Sequence, residues 1–383
     1  MISTKESEFS IRNSKFAQEL YKEAISIRNG NVIISPISVG TCLTLAAFGA
    51  AGPTADEIFS TLNLEDPNFK QIILKIFSNF LQKFSTDRSL KIANKVYIAN
   101  KFTVKSSFQE VAEKSFFSKV ESINFQESEK IARKINNWIE RKTNNKIKNI
   151  VSPLSLHPTS QIVLISAIHF KGTWKHQFRP RKTTPEPFWI RPTESVRIPM
   201  MKIKKHFRYV MLEELDSAAL KLSYKDSDLS MLILLPNRRD GLSELEEKLL
   251  NTNIPNLLSR MRKREVEVLL PAFKIEIDFD LTETLEKLGC GTMFTDRADF
   301  SNVIVEKSEP IKVSRIVHKV YIEVKEKGTE AAASTVYRFR SVGIENIKAP
   351  PPKFIADHPF YFALLDKHLN LVVFNGRLVN PRQ

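Results

Sequence analysis

The stretch VHKVYIEVKEKGTEAAAS, Val317 to Ser334, decides how the chain is read. Its first half is strand-like and its second half is built of small, helix-favouring residues. It runs on through TVYRFRSVGIENIKAPPP to Pro352, close to the C-terminus. Two local structures compete here. Thr329 can cap a short helix over Glu330 to Ala333, with Gly328 ending the strand before it. With a period of two instead, Thr329, Ala331, Ala333, Thr335, Tyr337 and Phe339 share an uncharged face. Glu330, Ala332, Ser334, Val336, Arg338 and Arg340 then share the other, which carries every charge. Such a strand can enter a sheet with one face on the core and one in water, and small residues at its leading end ease entry. The segment suits an exposed loop and a buried strand alike, the composition a switch requires.

Outward from this segment, the chain divides by pattern. Phe9 to Ile27 spaces its apolar residues as an amphipathic helix, NVIISP reads as a short strand ended by Pro36, and a helix buried all round follows from Pro36. Phe69 to Phe84 places Phe69, Ile72, Ile73, Ile76, Phe77, Phe80, Leu81 and Phe84 on one stripe. LKIANKVYIAN is a strand, and Glu129 to Lys142 a further helix. After Gln161 strands dominate: QIVLISAIHF, ALKLSY, LSMLILLP, VEVLLPAFKIEIDF, VHKVYIEVKEK and LNLVVFNGRLV. Helices LSELEEKLLNTNIPNLLSR and LTETLEKLG sit between them. Helices first and strands later is not a βαβ alternation, so the class is α+β with mostly antiparallel sheets. No polar linker interrupts the 383 residues, which points to a single domain over 1–383.

The chain is 42% apolar and 26% charged, ordinary for a globular protein, but its formal net charge is +15. That balance favours anionic partners. The two cysteines, Cys42 and Cys290, exclude a disulfide scaffold, and without a CxxC pair no zinc-finger site is expected. No apolar run is long enough for a transmembrane helix. No signal peptide and no N-x-S/T sequon is visible, which fits either an intracellular chain or a mature secreted one. Walker, G-x-G-x-x-G, G-x-S-x-G and H-E-x-x-H motifs are all missing, so neither an enzyme nor a metal or organic cofactor is expected.

Five segments carry a resemblance. NVIISPISVGTCLTLAAFGAAGPTADEI resembles helix B and the shutter segment of the serpins. INNWIERKTNNKIKNIVSP looks like their helix F, and HFKGTWKHQF is similar to the strand bearing the breach tryptophan, here Trp174. VHKVYIEVKEKGTEAAAS resembles the fifth strand of the main sheet with its hinge, and FIADHPFYFALLDKHLNLVVFNGRLVNP the C-terminal hairpin. They occur in the family's order and span nearly the whole chain.

The resemblance implies the serpin fold, with roughly nine helices, three mostly antiparallel sheets and an exposed reactive-centre loop at about 326–352. It implies a monomeric suicide inhibitor of a serine protease, covalently trapped when the cleaved loop inserts as a strand. Inhibition of a cysteine protease, or a non-inhibitory binding role, are the alternatives. Gly328, Thr329, Glu330, Ala331, Ala332, Ala333 and Ser334, after Glu326, follow the inhibitory hinge pattern. Counting fourteen residues on from Gly328 puts the reactive bond at Val342–Gly343. Arg340, Ile344, Arg338 and, counted from the C-terminal side, Lys348 are the other sites in this loop.

Ser35, Ser38, Ser166 and His318 are the shutter residues implied. Ser166 stands where the family usually has Asn, which predicts a looser shutter. Glu326 usually pairs with a base that here is Ala272; Lys274, on the same strand face, is its expected substitute. Lys70, Lys75 and Lys83, on the helix resembling helix D, and Arg88 just beyond it form a candidate site for a heparin-like sulfated polysaccharide, the one activating cofactor expected. Neither nucleic acid nor membrane is an expected partner. The family's many secreted members favour an extracellular location, with a cytoplasmic one as the alternative.

Overall fold

A computed structural model describes residues 4–66, 69–306, 310–326 and 350–383. Nine α-helices occur among them: α1 (Thr4–Ile27), α2 (Pro36–Gly49), α3 (Gly52–Thr61), α4 (Phe69–Ser85), α5 (Ser106–Phe116), α6 (Ser128–Lys142), α7 (Leu242–Leu249), α8 (Ile254–Arg260) and α9 (Thr282–Lys287). The strands are β1 (Val32–Ile34), β2 (Leu90–Ala99), β3 (Val120–Ile123), β4 (Ile162–Phe170), β5 (Thr184–Arg191), β6 (Glu194–Leu212), β7 (Ser217–Ser223), β8 (Leu229–Pro236), β9 (Arg262–Pro271), β10 (Phe273–Asp280), β11 (Val313–Val324), β12 (Lys353–Ile355), β13 (Phe360–Asp366) and β14 (Val372–Leu378).

The stripe on α4 is buried as its spacing requires, with Phe69, Ile73, Ile76, Phe77, Phe80, Leu81 and Phe84 in the core. Ser35 starts α2, its hydroxyl accepting the Ser38 N–H at 3.3 Å, with Pro36 at the first helical position, where no N–H is needed. Both cysteines are buried, and desolvation pushes each thiol up to about 12.

Two hydrogen-bonded sheets form among the described residues, where three were expected. One has nine strands in the order β1-β14-β13-β8-β7-β6-β9-β12, with β5 paired to β6. The reason for the merger is β6: its 19 residues pair in turn with β5, β9 and β7, fusing two ladders into one. In this sheet Gly376 lies so close to β1 that a Cβ would strike the Val32 carbonyl, so no larger residue fits. The other sheet has five strands in the order β10-β11-β4-β2-β3. At its centre β4 and β11 run parallel and are bonded directly, from Ile162 opposite Val313 to Phe170 opposite Ile322. Helix α2 lies between the sheets, touching β2 and β4 of one and β14 of the other, while α6 packs on β2.

Candidate functional site

The seam between β4 and β11 organises the described shutter, breach and hinge residues. Glu326 lies just past the end of β11. The rest of the predicted hinge, Gly328 to Ser334, and all the bonds considered for cleavage, from Arg338 to Lys348, lie outside the described residues.

At the upper end of the seam Trp174 follows β4. It is 2% exposed, stacks on Tyr224 with centroids 4.3 Å apart, and meets Phe178 edge-on. Its indole N–H donates to the Lys325 carbonyl at 2.9 Å, and the Phe178 N–H donates to the Glu326 carbonyl at 3.2 Å. The segment after β4 therefore grips the backbone through which β11 leads into the hinge. Replacing Trp174 by Phe keeps the ring but removes that donor and some volume. We expect a loss of about 1–2 kcal/mol, read from the urea midpoint, with the slope unchanged.

A charged clasp crosses the same end. Glu323 on β11 pairs with Lys171 at 2.7 Å and with Lys325 at 2.5 Å. Burial works to raise the pKa of this carboxyl, but the hydrogen bonds and charges of Lys171 and Lys325 outweigh it and hold the group at about 2. Lys274 does not substitute as the partner of Glu326. It pairs with Glu276 at 3.2 Å and lies 5.0 Å from the Tyr321 ring centre. Among the described residues Glu323, not Glu326, holds the ion pairs at this end.

Midway down the seam, the shutter residues come together as expected. Asn94 on β2, Ser166 on β4 and His318 on β11 stand in one row across the sheet. The Ser35 N–H donates to His318 Nε2 at 3.1 Å, so that nitrogen carries a lone pair and the proton sits on Nδ1. Nδ1–H then donates to Ser166 Oγ at 2.9 Å, the Ser166 hydroxyl to Ser38 Oγ at 2.8 Å, and the Ser38 hydroxyl to Asn94 Oδ1 at 3.0 Å. The Ser35 hydroxyl donates to the Val373 carbonyl at 2.7 Å, tying α2 to β14. A second proton on His318 would meet the Ser35 N–H head-on. Burial, opposed only weakly by a hydrogen bond involving Ser166, pushes its pKa down to about 3.

Asn94 is the residue the sequence reading missed. It supplies the amide that Ser166 lacks, so the expected loose shutter is instead a continuous chain of bonds. Only its amide nitrogen stays unbonded among the described residues. Asn94 could have been found: it shares the face of Leu90, Ile92, Val96 and Ile98, the one polar group in that row within β2.

The candidate polysaccharide face on α4 is only partly assembled. Lys75 and Arg88 are exposed, and the Lys70 side chain lies outside what is described. Lys83 turns inward, bonding buried Asp366 at 2.6 Å and Asp228 at 3.1 Å, so its charge is taken up within the protein.

A family model described as Serpin (serine protease inhibitor) matches residues 11–381. Serine protease inhibitor 42Dd of Drosophila melanogaster is 36% identical over 355 residues, covering 92% of this chain and 92% of its own length. Among solved structures, Serpin48 of Tenebrio molitor is 32% identical with a TM-score of 0.87 and covers 99% of both chains. The structure described as cleaved Serpin 42Da is 36% identical, with a TM-score of 0.87 and 98% coverage of both. The chain belongs to the serpin family. Serpins are in general protease inhibitors rather than catalysts.

Proposed function

We propose that this serpin is a monomeric suicide inhibitor of a serine protease, cleaved at Val342–Gly343. One observation carries the reading: β4 and β11 are parallel neighbours, and β11 leads straight into the hinge. A chain that doubles back from β11 runs antiparallel to it, and so also to β4. If the pair parts, the same strand can form a ladder on both sides. Thr329, Ala331 and Ala333 are small enough to lead it in.

In the proposed reaction the protease serine Oγ attacks the Val342 carbonyl carbon. The bond to Gly343 breaks, the amine leaves with the transferred proton, and an ester joins protease to inhibitor. Insertion of about twelve residues at ~3.3 Å each carries the ester roughly 40 Å. Traction on that scale disorders an active site whose geometry must hold to about an ångström, and the water that would release the ester is no longer activated. We place the inhibitor outside the cell, where secreted proteases act.

Incubation with a protease panel should give a complex stable in SDS and a released peptide whose mass begins at Gly343. A peptide starting after Arg338, Arg340, Ile344 or Lys348 would move the reactive bond. Clean cleavage with no complex and no loss of protease activity would reject inhibition.

A further inference from the structure

Asn-Gly occurs twice in the chain, at Asn29–Gly30 and Asn375–Gly376. In this pair the backbone nitrogen of the glycine can reach the preceding side-chain amide, because no Cβ blocks the approach. At Asn375 the reaction is locked out. Asn375 is fully buried in β14, its amide donates to the Ala17 carbonyl at 2.9 Å, and Gly376 is held between β1 and β13. At Asn29, between α1 and β1, it is open. Asn29 is exposed, and its side chain has no hydrogen-bond partner among the described residues. The Gly30 N–H has no backbone acceptor among them, and Gly30 sits at φ +81, where glycine alone is relaxed. Asn29 lines a pocket of about 420 Å³ together with Arg28 and Arg382. These two guanidiniums donate to the carbonyls of Asp278 and Arg197, and neither has an ion-pair partner among the described residues. Positive charge beside the pair favours the amide anion that must form on the Gly30 nitrogen. The same turn holds Arg377. Its Nη2–H donates to the Arg28 carbonyl at 3.0 Å and its Nε–H to the Gly30 carbonyl at 2.8 Å, one on each side of Asn29. So placed, Arg377 Nη1 pairs at 3.1 Å with Glu246, a buried carboxylate on α7 that also accepts the Tyr21 hydroxyl at 2.5 Å.

We propose that Asn29 is a site of spontaneous deamidation, and that its isoaspartyl product loosens the Arg377–Glu246 pair. The Gly30 nitrogen attacks Asn29 Cγ. A bond forms between them, the bond from Cγ to Nδ2 breaks, and the amide nitrogen leaves as ammonia with the proton from Gly30. Water then opens the cyclic imide. Opening at Cγ gives an ordinary aspartate; opening at the main-chain carbonyl gives isoaspartate, with the chain running through the former side chain. Both products add a negative charge, but only the second lengthens the main chain by one atom between the Arg28 and Gly30 carbonyls. The planar guanidinium of Arg377 can then no longer meet both. Glu246 is left in its buried site without the charge that faces it.

The test ages the intact protein in mildly alkaline buffer, then maps aspartate and isoaspartate by mass spectrometry and enzymatic methylation of isoaspartyl groups. No protease is present, so the result is independent of inhibition. Conversion should appear at Asn29, while Asn375, which must await unfolding of the core, should lag by more than about a thousandfold. The aged protein should show a lower urea midpoint than the fresh one. Asn29→Gln, whose side chain must close a larger ring, should age without that loss. Asn29→Asp has the new charge on a chain of normal length and should keep the midpoint of fresh protein. An Asn29 that stays an amide as long as Asn375 does would overturn the site. An unchanged midpoint in aged protein, or an equal fall in aged Asn29→Gln, would overturn the link to Arg377. A fresh Asn29→Asp protein as unstable as the aged chain would overturn the role of the lengthened chain and assign the effect to charge.

Discussion

If this serpin inhibits as proposed, arginine in place of Ala331 should turn it from an inhibitor into a substrate. The face of the seam turned to α2 carries Ile168 and Phe170 from β4 and Val320 and Ile322 from β11, all fully buried. A strand entering there must bury Thr329, Ala331 and Ala333 if the period of two holds. A guanidinium at Ala331 would be drawn from water with no carboxylate to meet it, at a cost of several kcal/mol. Insertion then loses its race with hydrolysis of the ester. We expect the yield of SDS-stable complex to fall by about a hundredfold while loop cleavage continues, since each 1.4 kcal/mol is worth about tenfold. Arginine at Ala332, on the charged face with Glu330 and Arg338, should change the yield by less than about threefold. Quantifying complex and cleaved protein on one gel separates the two. Equal losses from both variants would reject the two-faced strand.

How far such a site could be read from sequence depended on the distance over which each residue acts. The stripe of α4, the nearly all-round burial of α2 and the strand pattern of VHKVYIEVK are local features, and the structure carries them in place. Helices α3 and α5 gave no comparable stripe: α5 buries only Phe108, Ala112 and Phe116. VEVLLPAFKIEIDF reads as one strand-like run, yet it breaks at Ala272 and sends β9 and β10 into different sheets. Nothing local marks that parting. Lys83 sits where a solvated face was expected, but the carboxylate it meets is on β13, far along the chain. The three-sheet expectation gave way for a similar reason. Whether two ladders join depends on how far β6 stays straight, and residues in the run KIKKHFRYVML alternate too irregularly to say. The shutter lies between these cases: Ser35, Ser38, Ser166 and His318 are recognisable one by one, but Asn94 and the order of the row across β2, β4 and β11 are properties of register.

That register has a measurable consequence, because it keeps His318 neutral. Its pKa is near 3 in the folded protein against about 6.5 unfolded. His169, one residue before the end of β4, is pushed down to about 4 by burial and then by Lys146, with neither ring nitrogen bonded among the described residues. Between these values and 6.5 the unfolded chain binds protons that the folded one refuses, so stability rises with pH there. The contribution is full above about pH 6.5 and drains away as pH falls below it. At pH 5 each histidine lies about 1.5 units into that window, which costs about 2 kcal/mol each, or about 4 together. His176 acts in the same direction, while Glu246, whose carboxyl burial raises, opposes it. Glu323, held near 2, adds its own loss only below the usual carboxylate range. Urea midpoints at pH 7.5 and 5.0 should therefore differ by about 4 kcal/mol in stability, less what Glu246 returns. His318→Gln offers one acceptor for the Ser35 N–H and one donor for Ser166 without a proton to gain, and should cut the difference by about half. A His318→Gln protein that loses as much stability between pH 7.5 and 5.0 as the unaltered chain would show that the shutter is not what acid undoes.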